Sequence, residues 1–292
     1  MSYFNVLGFE KEPFSTSPDP DFFYLSREHE TALTNILIEL RLKRGLCVIL
    51  GDVGTGKTTL SRKLVQELKA REDFIFNIIL DPSVEDEYLF LTSLVRNFEI
   101  ATPSSLGPHP SILDLRDALE QFLFQKGVNE GKTIVLIVDE AQKLSEDSLE
   151  VLRVLLNFET NEFKLLQLVL LGQLELHSKI MSMANFFDRI SFKFTLNPLD
   201  YNETFEMIAF RIAQAGYNAK INLFLEEAVR QIHEYSRGYP RQITLLCHKV
   251  LKSLMLRNKF VVDAELVKEI VEAEMRLGWQ RREDLFQNKA VH

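Results

Sequence analysis

Gly51-Asp52-Val53-Gly54-Thr55-Gly56-Lys57-Thr58 decides the reading of this chain. The apolar run at 46–50 comes before it and a helix-forming stretch at 59–70 comes after it. The spacing G-x-x-x-x-G-K-[ST] is that of a phosphate-binding loop, the Walker A motif. Its glycines allow a tight turn in which successive N–H groups face an anion, and the next helix adds its positive end. The backbone of Gly51, Asp52, Val53, Gly54, Thr55 and Gly56 is therefore expected to cradle phosphates, with Thr59 completing the loop. Lys57 is expected to reach the β- and γ-phosphates of ATP, and the Thr58 hydroxyl to complete the shell of a Mg²⁺ ion.

A second signal lies about eighty residues downstream. Ile134-Val135-Leu136-Ile137-Val138-Asp139-Glu140 is an unbroken apolar run ending in two carboxylates. Such a run reads as a strand buried on both faces, so the carboxylates emerge at the mouth of a sheet, where open α/β folds bind ligands. Asp139 is the expected holder of Mg²⁺, and Glu140 is placed to polarise an attacking water, a Walker B arrangement. Short strands at 46–50, 74–80, 134–138, 165–171 and 191–195 alternate with helical stretches at 59–70, around 89–95, and at 111–125. That alternation predicts an α/β fold with a parallel sheet.

Gly172-Gln173 closes the strand at 165–171, leaving Gln173 either on the γ-phosphate and lytic water or in a solvated turn. Arg189, before the last strand, either pairs with a local acid or is offered to a neighbouring subunit's nucleotide. Beyond Asn197-Pro198-Leu199 the pattern turns wholly helical, with helices expected at 202–215, 223–236, 241–256 and 264–277. Arg241 follows Gly238-Tyr239-Pro240 in the first turn of its helix, where a cation is disfavoured. It therefore either serves an anion outside that helix or is simply an exposed arginine.

The first thirty residues hold Phe9, Pro13-Phe14 and Pro18-Asp19-Pro20-Asp21-Phe22-Phe23-Tyr24. So many aromatics predict an ordered arm docked on the core, either for packing alone or with part of it walling an adenine ring. Ser26 reads as the N-cap of a helix running to about residue 44. The division expected is an arm at 1–26, a nucleotide core at 27–197, a helical lid at 198–277 and a tail at 278–292.

The net charge of −8 argues against a coat of nucleic-acid-binding charge. Basic clusters at Arg41-Leu42-Lys43-Arg44 and at Lys249, Lys252, Arg257 and Lys259 leave a local patch open. No segment reaches the ~20 apolar residues of a membrane span. Met1 to Asn5 lacks the layout of a signal peptide, and the two cysteines, Cys47 and Cys247, read as buried thiols; a cytoplasmic protein is expected. The six histidines show no metal-ligand spacing.

The chain resembles an AAA+ ATPase, with a three-layer αβα sheet followed by a small helical lid. It is most similar to the ExeA (general secretion pathway protein A) family and its relatives in pilus biogenesis. The resemblance is carried by the aromatic arm through Leu25-Ser26 and His29, by the phosphate loop, and by Val138-Asp139-Glu140-Ala141-Gln142. Leu171-Gly172-Gln173 and Gly238-Tyr239-Pro240-Arg241 complete it. It implies Gln173 at the sensor 1 position, Arg189 as arginine finger and Arg241 at sensor 2. It also implies self-assembly with nucleotide into a ring or filament. The partners implied are proteins of a secretion or type IV pilus machine, with the chain cytoplasmic or peripheral at the inner membrane. Longer ExeA-type proteins continue into a membrane span and a peptidoglycan-binding part, neither of which carries over to these residues. The same module is similar to TnsC/TniB-type transposition regulators, which implies duplex DNA and a transposase as the alternative partners.

Overall fold

A computed structural model describes residues 3–16, 19–84, 86–100, 110–217 and 222–276. The tail expected at 278–292 therefore lies outside the described residues. The chain divides into two compact units, Leu25–Asn197 and a second formed by Met1–Tyr24 with Pro198–His292.

In chain order the helices are α1 (Tyr3–Val6), α2 (Arg27–Arg41), α3 (Lys57–Lys69), α4 (Glu87–Asn97), α5 (Ile112–Phe124) and α6 (Glu146–Leu155). They continue with α7 (Glu175–Met181), α8 (Ala184–Phe187), α9 (Tyr201–Gln214), α10 (Glu226–Ser236), α11 (Pro240–Leu256) and α12 (Ala264–Arg276). The strands are β1 (Leu46–Gly51), β2 (Phe74–Ile79), β3 (Thr133–Val138), β4 (Leu166–Gly172) and β5 (Ile190–Leu196).

The first unit is built on a five-stranded sheet of order β2-β3-β4-β1-β5, parallel throughout. Strands β1, β3 and β4 are buried along their whole lengths, as central strands covered on both faces must be. Alternate residues, among them Leu46, Val48, Ile134, Leu136, Leu168 and Leu170, pack with side chains of α4, α5, α6 and α7. Helices α2 and α3 contact the strands as well, and their buried residues fall outside that cluster, which makes the third layer. β5 lies at the edge beside β1, and its exposure alternates as expected for an edge strand.

Caps set several helix starts. Ser26 Oγ accepts from the backbone of His29 at the head of α2. Ser111 and Asp114 form a reciprocal capping box on α5. α5 ends in a π-helical turn at Gln125–Asn129. Two regions carried no element assignment from sequence: α6 follows the Asp139-Glu140 pair with Ser145 as its cap, and α7 and α8 fill the span between β4 and β5.

The second unit is helical. Its core joins Leu199, Met207, Ile232, Ile243, Val250 and Leu266 to Phe9, Phe14 and Phe22 of the N-terminal arm. Within this unit, Arg211 fastens the arm from below. It is 9% exposed, donates from Nε to Pro13 O (2.8 Å) and from a terminal nitrogen to Ser15 O (2.9 Å), and lies over the rings of Phe14 and Phe22. The helix expected from residue 223 begins only at Glu226. Leu223 and Phe224 are buried ahead of it instead, with Phe224 in a parallel bridge to Val262 made by Val262 N to Leu223 O (2.8 Å) and Leu225 N to Val262 O (3.0 Å).

Candidate nucleotide site

β1 delivers the chain into the loop at 51–56, and α3 starts at Lys57 with Gly56 as its N-cap. Gly54 (φ 90°) and Gly56 (φ 101°) occupy the left-handed region, where a side chain is strained, so the turn depends on glycine at both. Lys57 is 6% exposed, and its ammonium donates to Gly51 O (2.7 Å) and Asp52 O (2.8 Å). Burial lowers its pKa, while Glu140 and Asp139, followed by Asp52, pull the other way. Thr55, fully buried, donates from its hydroxyl to Asp52 O (2.9 Å) and closes the loop on itself.

The Asp139-Glu140 pair stands at the end of β3, separated from β1 by β4. Asp139 is 2% exposed, and burial raises its pKa against a hydrogen bond from Thr58. Ser61 Oγ lies 3.5 Å from Asp139 Oδ2. The first two turns of α3 thus meet the end of β3, and the loop and the carboxylate share one edge of the sheet. Hydroxyl and carboxylate oxygens are the donor type taken by a hard cation such as Mg²⁺. Among the described residues no group of three or more His, Cys, Asp or Glu gathers as a metal site, here or elsewhere.

Glu140 is half-buried and adopts a left-handed backbone (φ 51°), an uncommon conformation for a residue with a side chain. It turns the chain sharply out of β3. Glu140 Oε2 accepts from Gln142 Nε2 (2.7 Å), and Gln142 Oε1 accepts from Gln173 N (3.1 Å). Gln173 therefore stands at the β4 tip, beside the Asp139-Glu140 turn, held there through its backbone N–H.

Arg189 follows α8 and donates from Nε to Asn185 O (3.1 Å), a local bond rather than one to the phosphate loop. Arg241 is exposed at the second position of α11, in the helical unit. The site as built thus gathers 51–59, Asp139, Glu140 and Gln173; Arg189, in the same unit, does not join it through any described contact, and Arg241 belongs to the helical unit.

Sequence reasoning assigned no role to two residues of this site. His29 is 1% exposed, and its Nε2 lies 2.9 Å from Thr55 O in the loop. Its Nδ1 lies 2.7 Å from Ser26 Oγ. Gln142 is the other. Both stand in stretches that carried the family resemblance, which was the signal available.

The protein-family model described as an AAA domain matches residues 40–180. General secretion pathway protein A of Aeromonas hydrophila is 35% identical over 258 residues, which is 88% of this chain and 45% of that protein. The chain thus spans under half the length of that relative. Among solved structures, Cdc6p from Pyrobaculum aerophilum superposes with a TM-score of 0.63 at 18% identity, covering 86% of this chain and 67% of that one. The Thermotoga maritima RuvB Holliday junction branch migration motor gives a TM-score of 0.55 at 17% identity, covering 84% and 68%. The five-stranded parallel sheet described above is consistent with this fold.

Proposed function

From a chain that belongs to the AAA+ P-loop ATPases, as a relative of general secretion pathway protein A, we propose an ATP-binding and ATP-hydrolysing module that drives assembly of a secretion or type IV pilus system. One observation supports it above the rest. The start of α3 and the end of β3 bring Lys57, Thr58, Asp139 and Glu140 to the same edge of the sheet.

In this reading the N–H groups of the loop bind the phosphates of ATP, and Lys57 exchanges its two carbonyl partners for phosphate oxygens. Thr58 and Asp139 hold Mg²⁺, which spreads and neutralises charge on the β- and γ-phosphates. Glu140 orients and polarises the attacking water, and Gln173 contacts that water or the γ-phosphate. Arg189 serves the nucleotide of a neighbouring copy, and Arg241 serves as a lid cation. Both assignments imply an oligomer that forms with nucleotide, and turnover changes its assembly or conformation.

The helical unit offers little support for duplex DNA as the client. Lys249 pairs with Glu274, Arg257 with Glu269, and Lys259 with Asp263 at 3.1 Å. Lys252 lies over the Tyr3 ring. Much of that basic cluster is already neutralised within its own unit. No helix among the described residues is long and apolar enough to cross a membrane, so any inner-membrane association would be peripheral through this part of the chain.

The test compares wild type with Glu140→Gln for ATP binding, phosphate release and size by light scattering. ATP affinity should persist in the variant while turnover falls about a hundredfold or more. ATP should shift both proteins to larger species. Near-normal turnover in Glu140→Gln would remove that residue from its role, and a wild type that binds no ATP would sink the reading. Duplex-DNA anisotropy across a salt series separates the clients, because tight ATP-dependent binding with a steep salt slope belongs to the transposition alternative.

A further inference from the structure

The short path between the ends of β3 and β4 runs through one side chain that the ATPase reading does not use. Gln142 Nε2 donates to Glu140 Oε2 at 2.7 Å, and Gln142 Oε1 accepts from the backbone N–H of Gln173 at 3.1 Å. The partners fix the orientation of the amide. A carboxylate only accepts and a backbone N–H only donates, so a flipped amide would lose both bonds. The turn carrying Gln142 is itself pinned, because Lys179 Nζ donates to Gln142 O (2.6 Å) and Leu144 O (2.9 Å). The β4 tip is shaped to receive it. A Cβ on Gly172 would lie 3.3 Å from Gln142 N and 2.7 Å from Leu176 Cδ2. Gly172 is also the register partner of Leu50, the residue that enters the phosphate loop.

We infer that Gln142 is a positioning residue for Glu140, holding one carboxylate oxygen so that the other is presented to water, and tying that carboxylate to the β4 tip beside the phosphate loop. This rests on the ATPase reading above. Glu140 needs such a restraint because its side chain leaves a left-handed turn close enough to Lys57 to interact with its ammonium. A freed carboxylate would sample orientations that present neither oxygen to the water. Among the described residues Glu140 Oε1 has no hydrogen-bond partner, so the bond to Gln142 leaves an acceptor oxygen available. The link costs the loop nothing in phosphate binding, since neither Gln142 bond involves residues 51–59. Its effect therefore falls on turnover and not on nucleotide affinity.

The experiment measures kcat, KM, fluorescent-nucleotide affinity and thermal midpoint for wild type, Gln142→Ala, Gln142→Glu, Glu140→Gln and the double variant Gln142→Ala/Glu140→Gln. Gln142→Ala should lower kcat about tenfold or more, with nucleotide affinity within about twofold of wild type. Gln142→Glu keeps an acceptor for Gln173 N but cannot donate to Glu140, so it should lose at least as much kcat. The double variant should turn over no more slowly than Glu140→Gln alone, because the restraint acts only through the carboxylate. Normal kcat in Gln142→Glu, or equal losses in the two Glu140 backgrounds, would overturn the inference while leaving the ATPase reading intact. A wild type without ATPase activity would overturn both.

Discussion

His29 Nε2 sits 2.9 Å from the backbone oxygen of Thr55, so the first long helix of the sheet unit grips the phosphate loop through an imidazole. A carbonyl only accepts, so Nε2 carries the proton and Nδ1 accepts from Ser26 Oγ at 2.7 Å. The ring is thus a neutral tautomer with both nitrogens used, and burial lowers its pKa below the ordinary value.

That lowered pKa has a definite sign. The folded state resists protonation of His29 and the unfolded chain accepts it near pH ~6.5, so the unfolded state binds more protons as pH falls. The contribution to stability is full above about pH 6.5 and is lost as pH falls from there toward the lower folded value. Urea unfolding at pH 7.5 and 5.5 should show a larger acid loss in wild type than in His29→Gln. An equal loss in the two proteins would show that His29 does not contribute.

His29→Ala removes a buried donor and leaves Thr55 O without its imidazole partner. The cost should be about 1–3 kcal/mol of unfolding free energy, measured at pH 7.5 where the ring is neutral. Nucleotide affinity should weaken as well, because Thr55 belongs to the proposed phosphate cradle. Unchanged affinity would confine the contact to stability.

Lys57→Ala should abolish ATP binding with the fold retained, because the ammonium's described bonds are to the loop carbonyls Gly51 O and Asp52 O. Fluorescent-nucleotide anisotropy with circular dichroism separates the two effects. ATP affinity equal to wild type would contradict the phosphate role.

Arg211→Ala should release the N-terminal arm. Two charge-assisted bonds to Pro13 O and Ser15 O disappear, at about 1.5–3 kcal/mol each, along with stacking on Phe14 and Phe22. Burial lowers the guanidinium pKa to about 10, so it remains charged at neutral pH and its bonds keep their charge assistance. Limited proteolysis should cut within residues 1–24 far faster in the variant. Equal cleavage rates would show that the aromatics alone hold the arm.

Gly238→Ala should destabilise the helical unit by about 3 kcal/mol or more. Gly238 has φ 76°, its O accepts from Leu199 N at 2.9 Å, and a Cβ would lie 2.0 Å from Leu199 O. The clash is with backbone, which no rotamer change relieves. Thermal unfolding of the variant reads this directly, and a midpoint matching wild type would contradict it.

The loop at 51–56 between β1 and α3, and the carboxylate pair at the end of β3, were legible in the sequence because each is written in consecutive residues. Glycine spacing fixes a turn, a β-branched run fixes a buried strand, and the residue after each inherits its place from the local chain. The parallel sheet followed from alternation of elements, but its order did not. Placing β4 between β1 and β3 depends on which helix faces cover which strands, and hydrophobic periodicity does not encode that choice. The pairings that depend on such placement were equally hidden. His29 meets Thr55 across 26 residues, Gln142 meets Gln173 across 31, and Arg211 meets Pro13 across 198. Nothing in the sequence names the partner of any of the three. Each acquires its partner only when packing sets it beside a backbone group that must be satisfied, and that requirement exists only in the folded molecule.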